Sequence, residues 1–277
     1  MNTLFLVATP IGNLEDLSPR ALRVLAEVKL IAAEDTRHSR KLLTHFDIHT
    51  PLTSFFEHNQ GQKLDEVLAA LNTGDVALIS DAGMPAINDP GYLLVRAALN
   101  AGHAVSPIPG PSAPIAALAA SGLPTDQFLY LGYPPRKSNE RQRGFEELAS
   151  LPYTLIWLES PHRLGATLED LHAVFGERQV SVAAEMTKRF ERFFRGPLSA
   201  AIAHYAQEPV RGEFTIVLQG APPQAAEWDE AQIRASILAG LDGDDSPSQL
   251  ARRIAAESGW SRSRVYALVQ SISKEQA

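Results

Sequence analysis

Val76-Ala77-Leu78-Ile79-Ser80-Asp81-Ala82-Gly83-Met84-Pro85 carries the signature that decides the fold. Its apolar run, bounded by turn formers, reads as a short strand over 76–80 buried on both faces. The strand gives way to a loop rich in Gly and Pro that runs on to Asn88-Asp89-Pro90-Gly91. An amphipathic stretch over 92–99 follows, closed by Gly102, and reads as a helix.

The same unit recurs on both sides. Upstream, residues 4–8 read as a strand that stops at Thr9-Pro10. Ser18-Pro19 then starts a helix, with Ser as cap and Pro at the first helical position. Leu22, Leu25 and Val28 form its apolar stripe. A strand over 30–33, a helix over 36–46, a strand over 53–56 and a helix marked by Leu64, Val67, Leu68 and Leu71 complete the approach. Downstream come a strand over 104–108 and an Ala-rich helix over 112–120. Alternation of this kind predicts a mainly parallel sheet with helices on both faces.

The rhythm pauses at Ser121-Gly122-Leu123-Pro124, which places a domain boundary near residue 123. It resumes with strands over 128–133, 153–159, 180–185 and 214–219 and helices over 139–148, 163–175 and 198–207, a second α/β domain over 124–221. Ala221-Pro222-Pro223-Gln224 reads as a linker. Residues 222–277 carry no strand pattern and read as three helices, over 229–239, 248–257 and 261–273, with a helix-turn-helix spacing in the last two. Such an extension either packs on other protein or grips nucleic acid. The predicted fold class is therefore α/β: two α/β domains and a small helical extension.

Bulk composition narrows the function. A chain of 277 residues suits two domains of roughly 100–150 residues. No apolar run is long enough to span a membrane. The start lacks a basic leader segment, so a cytoplasmic location is expected. The absence of cysteine excludes disulfides, thiol catalysis and Cys-ligated zinc. His45 and His49 have no carboxylate nearby to complete a metal site, and no metal is expected. With a net charge of −7, nucleic acid would be held by local patches and not by the chain as a whole.

Dinucleotide, P-loop, HExxH and GxSxG motifs are all missing. What the sequence offers is three Gly/Pro loops, each after a strand: Ala8-Thr9-Pro10-Ile11-Gly12-Asn13, the 80–91 loop, and Pro109-Gly110-Pro111-Ser112-Ala113. They either make turns or cradle a ligand at the carboxyl ends of the strands. Charged turns form a second set: Glu34-Asp35-Thr36-Arg37, Glu159-Ser160-Pro161-His162-Arg163 and Glu185-Met186-Thr187-Lys188-Arg189. Each reads as a structural ion pair or as one wall of a polar cleft. Two basic patches, Arg136, Lys137, Arg141 and Arg143, and Lys188, Arg189, Arg192 and Arg195, lie among aromatics such as Tyr133 and Phe190. They read as a solvated helix face or as an RNA surface.

VATPIGNLEDLSPRA, AEDTR, SDAGMPAINDPG, PGPSA, SGLPTDQF, ESPHR and GEFTIVL occur in this order between about residue 3 and residue 220. On these motifs the chain resembles the ribosomal RNA ribose 2′-O-methyltransferases of the tetrapyrrole methylase superfamily. Met84, Asn88 and Ala184-Glu185-Met186 depart from the pattern, where Thr, Ser and Arg-Glu-Leu are common.

The resemblance implies S-adenosylmethionine in a cleft between two α/β domains, a homodimer, and methylation of a cytidine ribose in the decoding region of small-subunit ribosomal RNA, free or in the assembled subunit. It implies that Pro10, Asp81, Gly83, Ile87, Ser112, Ala113, Leu158 and Thr215 line the cofactor. A ribose hydroxyl must lose its proton to attack, so a base or a cation beside the alkoxide is needed. Glu159, Glu185, Asp35 and Lys188 are the candidates, Glu159 or Lys188 foremost. Arg37, Arg136, Lys137, Arg141, His162, Arg163 and Arg189 are the candidate RNA contacts. A tetrapyrrole methyltransferase and a non-catalytic RNA-binding assembly protein are the rival readings.

Overall fold

A computed structural model of the chain describes residues 2–56, 59–88, 91–207, 212–222, 228–241 and 246–275. Contacts divide it into two compact units, Met1–Gly220 and Ala221–Ala277.

The first unit holds two five-stranded sheets. The first sheet contains β1 (Thr3–Val7), β2 (Leu30–Ala33), β3 (Leu52–Ser54), β4 (Val76–Ile79) and β5 (Ala104–Ile108) in the order β3-β2-β4-β1-β5. Every pairing is parallel. The crossover helices are α1 (Pro19–Glu27), α2 (Thr36–His45), α3 (Gln60–Leu71) and α4 (Tyr92–Asn100). Ser18 caps α1, its side chain accepting from the Ala21 amide, with Pro19 behind it. Helices on both faces leave every residue of β4 buried, which is why its sequence is apolar without alternation.

The strand order positions a site. Because β4, β1 and β5 are parallel neighbours, their carboxyl ends lie side by side, with β2 next in line. The three Gly/Pro loops and the Glu34–Asp35 turn therefore share one edge. Reciprocal amide–carbonyl bonds between Thr9 and Gly83, at 2.9 and 3.0 Å, tie the first two loops together. Asp89 and Pro90, at the end of the second loop, lie outside the described residues.

The second sheet runs β6-β7-β10-β8-β9, built from β6 (Phe128–Tyr130), β7 (Thr154–Glu159), β8 (Gln179–Ala184), β9 (Arg192–Pro197) and β10 (Phe214–Leu218). β6 and β7 are parallel, the rest antiparallel. One face packs on α6 (Ser138–Glu146), α7 (Leu164–Phe175) and α8 (Leu198–Gln207) through Phe145, Trp157, Leu168, Phe175 and Ile216. The other face receives α5 (Ala113–Ser121), whose Ala117 and Leu118 meet Ile156, Ala183 and Val217.

The pause near residue 123 falls between the two sheets, and α5, which precedes it, docks on the second sheet. The sequence reading missed β9. Its arginines suggested only a basic patch, but Arg192 and Arg195 are the exposed charges of an edge strand paired with β8, a common guard against edge-to-edge association.

The second unit is a three-helix cluster of α9 (Glu230–Leu241), α10 (Pro247–Ser258) and α11 (Arg262–Glu275) around Ile237, Leu250, Ile254, Val265 and Val269. Ser246 and Gln249 form a capping box at α10, and Gly259, at φ 72°, turns the chain into α11. Of the expected linker, Pro223 and Gln224 lie outside the described residues.

Candidate active site

The edge of the first sheet faces the second across a cleft of about 220 Å³. Asp81, Gly83, Ile87, Ser112, Ala113, Leu158 and Thr215, all expected to line a cofactor, meet there. Pro10 opens instead on an adjoining groove of about 490 Å³. Leu158 and Thr215 are register partners on β7 and β10 and share the face that α5 covers further along the strands. Gly83, at φ 82°, takes a left-handed backbone that a side chain would oppose.

Backbone strain is concentrated at this cleft. Ala86 and Asn88 in one loop and Glu185 and Thr187 in another adopt positive φ, as does Asp47 elsewhere. Such conformations cost on the order of 1–3 kcal/mol each and persist where surroundings enforce them. Enforcement is visible at Gly12: a β-carbon there would stand 2.5 Å from Lys188 Cγ and 2.8 Å from Thr187 Oγ1. The loop after β1 thus presses directly on the turn after β8.

The cleft is acidic. Asp81 donates its amide to Glu34 Oε2 at 3.3 Å, and Asp35 donates its own amide to Asp81 Oδ1 at 3.2 Å. Burial pushes the Glu34 carboxyl up, the amide of Asp81 opposes this, and the charges of Asp81 and Asp35 add to it. Glu185 and Glu213 stand on the opposite wall. Lys188 donates to Glu185 Oε1 at 2.8 Å and lines both the cleft and the groove.

The remaining candidates separate by geometry. Glu159 does not reach the cleft. It is 1% exposed, and side chains alternate along a strand, so Leu158 faces the cleft and Glu159 faces α7. Its carboxylate accepts from the Ser160 amide and Thr167 Oγ1, each at 2.7 Å, and pairs with Arg163 at 3.2 Å. Asp35 caps α2 by accepting from the Arg37 amide, and the Arg37 side chain holds its carboxyl below the usual range, which makes it a poor base. Arg141 is buried and locked to Asp170, donating also to the carbonyls of Pro135 and Arg136 at 3.2 Å. Arg163 is committed to Glu159 and to the Pro134 carbonyl at 2.6 Å. Both guanidinium groups are thus held by partners within the protein, Arg141 buried and Arg163 partly exposed.

Arg37, Arg136, Lys137, His162 and Arg189 are exposed, Lys137 paired with Glu140 at 3.0 Å and Arg189 lying over the Phe190 ring. Sequence reasoning did not single out Glu213, Tyr130, His38 or Lys41 as site residues, yet they line the cleft or the groove. Glu213 sits inside the quoted GEFTIVL motif, and His38 and Lys41 stand three apart on one helix face.

This architecture has known relatives. Residues 3–202 match the family model described as Tetrapyrrole (Corrin/Porphyrin) Methylases. A protein of Halalkalibacterium halodurans named Ribosomal RNA small subunit methyltransferase I is 49% identical, over 82% of this chain and 80% of its own length. One of the same name from Synechocystis is 46% identical over 97% of both chains. Among solved structures, a uroporphyrin-III C-methyl transferase from Thermus thermophilus complexed with S-adenyl homocysteine superposes with a TM-score of 0.53 at 18% identity. That likeness covers 78% of this chain and 97% of the other.

Proposed function

Since the chain belongs to the tetrapyrrole methylases and, within them, to the ribosomal RNA small subunit methyltransferase I family, we propose that it methylates a ribose 2′-oxygen of small-subunit ribosomal RNA. The chain is an S-adenosylmethionine-dependent methyltransferase. The finer reading is a cytidine of the decoding region as target, in the cytoplasm, by a homodimer. Exposed Tyr92, Leu93 and Leu99 on α4 support association of two copies.

The observation that carries the reading is the meeting of an acidic, loop-lined cleft with a groove that His38 and Lys41 also line, Lys188 standing on the wall of both. The cleft fits the cofactor. Glu34, Asp81, Glu185 and Glu213 suit a ligand with a cationic sulfur and an ammonium group. Ile11, Met84, Ile87, Ala113 and Leu158 supply apolar walls, and Gly83 and Ala82 bring backbone close. When bound, S-adenosylmethionine supplies a methyl carbon on a positively charged sulfur.

The residues of this chain then have positioning and electrostatic work. Asp81, Gly83, Ile87, Ser112, Ala113, Leu158 and Thr215 would hold the methyl donor in the cleft, with Pro10 at the margin toward the groove. Lys188, oriented by Glu185, stabilises the 2′-oxygen as its proton leaves for Glu213, the exposed carboxylate on the same wall. Arg37, Arg136, Lys137, His162 and Arg189 hold flanking phosphates.

The test is methyl transfer to small ribosomal subunits and to their naked RNA, followed by mass mapping of the RNA. One new ribose methyl on a cytidine, lost in Lys188→Ala, is expected. Transfer to a tetrapyrrole and none to RNA, or no binding of the cofactor by calorimetry, overturns the reading.

A further inference from the structure

We infer that the groove beside the cofactor cleft seats a single unstacked nucleotide of the RNA, held by His38 and Lys41 on its phosphate and by Leu14 and Leu42 on its sugar and base. This rests on the methyltransferase reading above and names its substrate subsite.

Size comes first. The groove measures about 490 Å³, within the roughly 300–1,000 Å³ typical of small-ligand sites. Position follows. Ile11, Asp81, Ala82, Lys188 and Glu213 line both the groove and the cleft, so a sugar seated in one abuts the other. Collinear attack on a methyl group requires that adjacency.

The chemistry of the walls points to a nucleotide. His38, Lys41 and Leu42 have the i, i+3, i+4 spacing that puts side chains on one face of α2. His38 and Lys41 are exposed, and neither forms an ion pair with any described residue. In a chain of net charge −7, a lysine and an imidazole left without carboxylate partners beside a groove are suited to an anion, the lysine by its charge and the imidazole by its N–H. The short 3₁₀ turn Leu14–Asp16 also lines the groove and carries Leu14 at 40% exposure, an apolar side chain held open to solvent. Leu14 and Leu42 offer apolar contact to a sugar and base while Lys41 and His38 meet the phosphate. His38 and Lys41 line the groove alone, away from the Asp81 and Glu213 carboxylates that it shares with the cleft, so a phosphate is met at the α2 side. A nucleotide within folded RNA reaches such a pocket only by leaving its stack.

The chain contains no cysteine, so Lys41→Cys gives one unique attachment point for a photocrosslinker. With whole small subunits and S-adenosylhomocysteine present, crosslinks should map to the methylated nucleotide or its immediate neighbours. In parallel, Lys41→Glu should raise KM for the subunit about tenfold or more and flatten the salt dependence of RNA binding by about one charge. Its cofactor affinity and Tm should match the wild type, since Lys41 is an exposed helix residue. Crosslinks scattered over distant nucleotides, or an unchanged KM, overturn the inference while leaving the methyltransferase reading standing. A wild-type protein that methylates no RNA overturns both.

Discussion

Glu34 and Asp81, 47 residues apart in sequence, are joined at the edge of the first sheet by a hydrogen bond of 3.3 Å from the Asp81 amide to the Glu34 carboxylate. The bond fixes the end of β2 against the end of β4 and leaves two carboxylates side by side at the cofactor cleft. Burial raises the Glu34 pKa, so the folded chain holds its proton to higher pH than the unfolded chain does. Between the ordinary carboxylate value and the raised one, the native state binds more protons, and stability falls as pH rises through that window. Glu34→Gln keeps an acceptor for the Asp81 amide and removes the charge. It should raise Tm at neutral pH, have little effect at acid pH, and weaken cofactor binding about tenfold, the scale of one charge-assisted contact. Thermal scans from acid to neutral pH, with calorimetry at neutral pH, decide it; a destabilisation at neutral pH would show that the carboxylate is stabilising after all.

Gly12 supports Lys188 by having no side chain. A methyl group there must displace Lys188 Cγ and Thr187 Oγ1, because the gaps of 2.5 and 2.8 Å are far too short. Overpacking of this kind costs about 1–3 kcal/mol. Gly12→Ala should therefore reduce methyl transfer by at least tenfold through a misplaced Lys188, with cofactor affinity changing less. In a Lys188→Ala background part of the clash is gone, so the added loss from Gly12→Ala should shrink. A double-mutant cycle on single-turnover rates measures this, and strictly additive losses would separate the two residues.

Much of this was readable in advance. The β-α rhythm, the Ser18-Pro19 helix start and the three strand-end loops depend on local sequence, and each falls where its pattern puts it. That the loops share one edge is a consequence of parallel pairing, which the rhythm already implies. Side-chain direction was less accessible. Leu158 and Glu159 were both expected at the site, yet neighbours on a strand point to opposite faces, so only one can face the cleft. Arg141 resembled its surface neighbours because its partner, Asp170, lies 29 residues away on another helix. β9 was hidden because an edge strand carries the charges of a surface.

Arg141 gives a test that separates stability from RNA contact. Its ion pair with Asp170 is buried, with side chains 4% and 9% exposed, and Ser138 also donates to that carboxylate at 2.9 Å. Removing one partner strands a buried charge, at a cost of about 3–5 kcal/mol. Arg141→Ala should lower Tm sharply while the folded fraction keeps its RNA affinity. Arg136→Ala with Lys137→Ala should do the reverse, keeping Tm and weakening RNA binding with a shallower salt dependence. Denaturation curves paired with binding at two salt concentrations distinguish the cases. Loss of RNA affinity in well-folded Arg141→Ala would return that residue to the interface.

Glu159 provides the complementary case inside the ESPHR motif. Its carboxylate receives Thr167 Oγ1 and the Ser160 amide at 2.7 Å and balances Arg163, whose guanidinium also ties down the Pro134 carbonyl. It thereby anchors the start of α7 and the turn after β7. Glu159→Gln preserves the shape but leaves Arg163 without its counter-charge, so stability should fall by about 3–5 kcal/mol. Because the side chain faces α7 and not the cleft, the single-turnover methylation rate of folded protein should stay within about twofold of wild type, a barrier change of under ~0.5 kcal/mol. Its pH–rate profile should also keep its shape. A rate loss of a hundredfold or more with Tm unchanged would instead place Glu159 at the reacting atoms, and the packing of β7 against α7 would then have to open during the reaction.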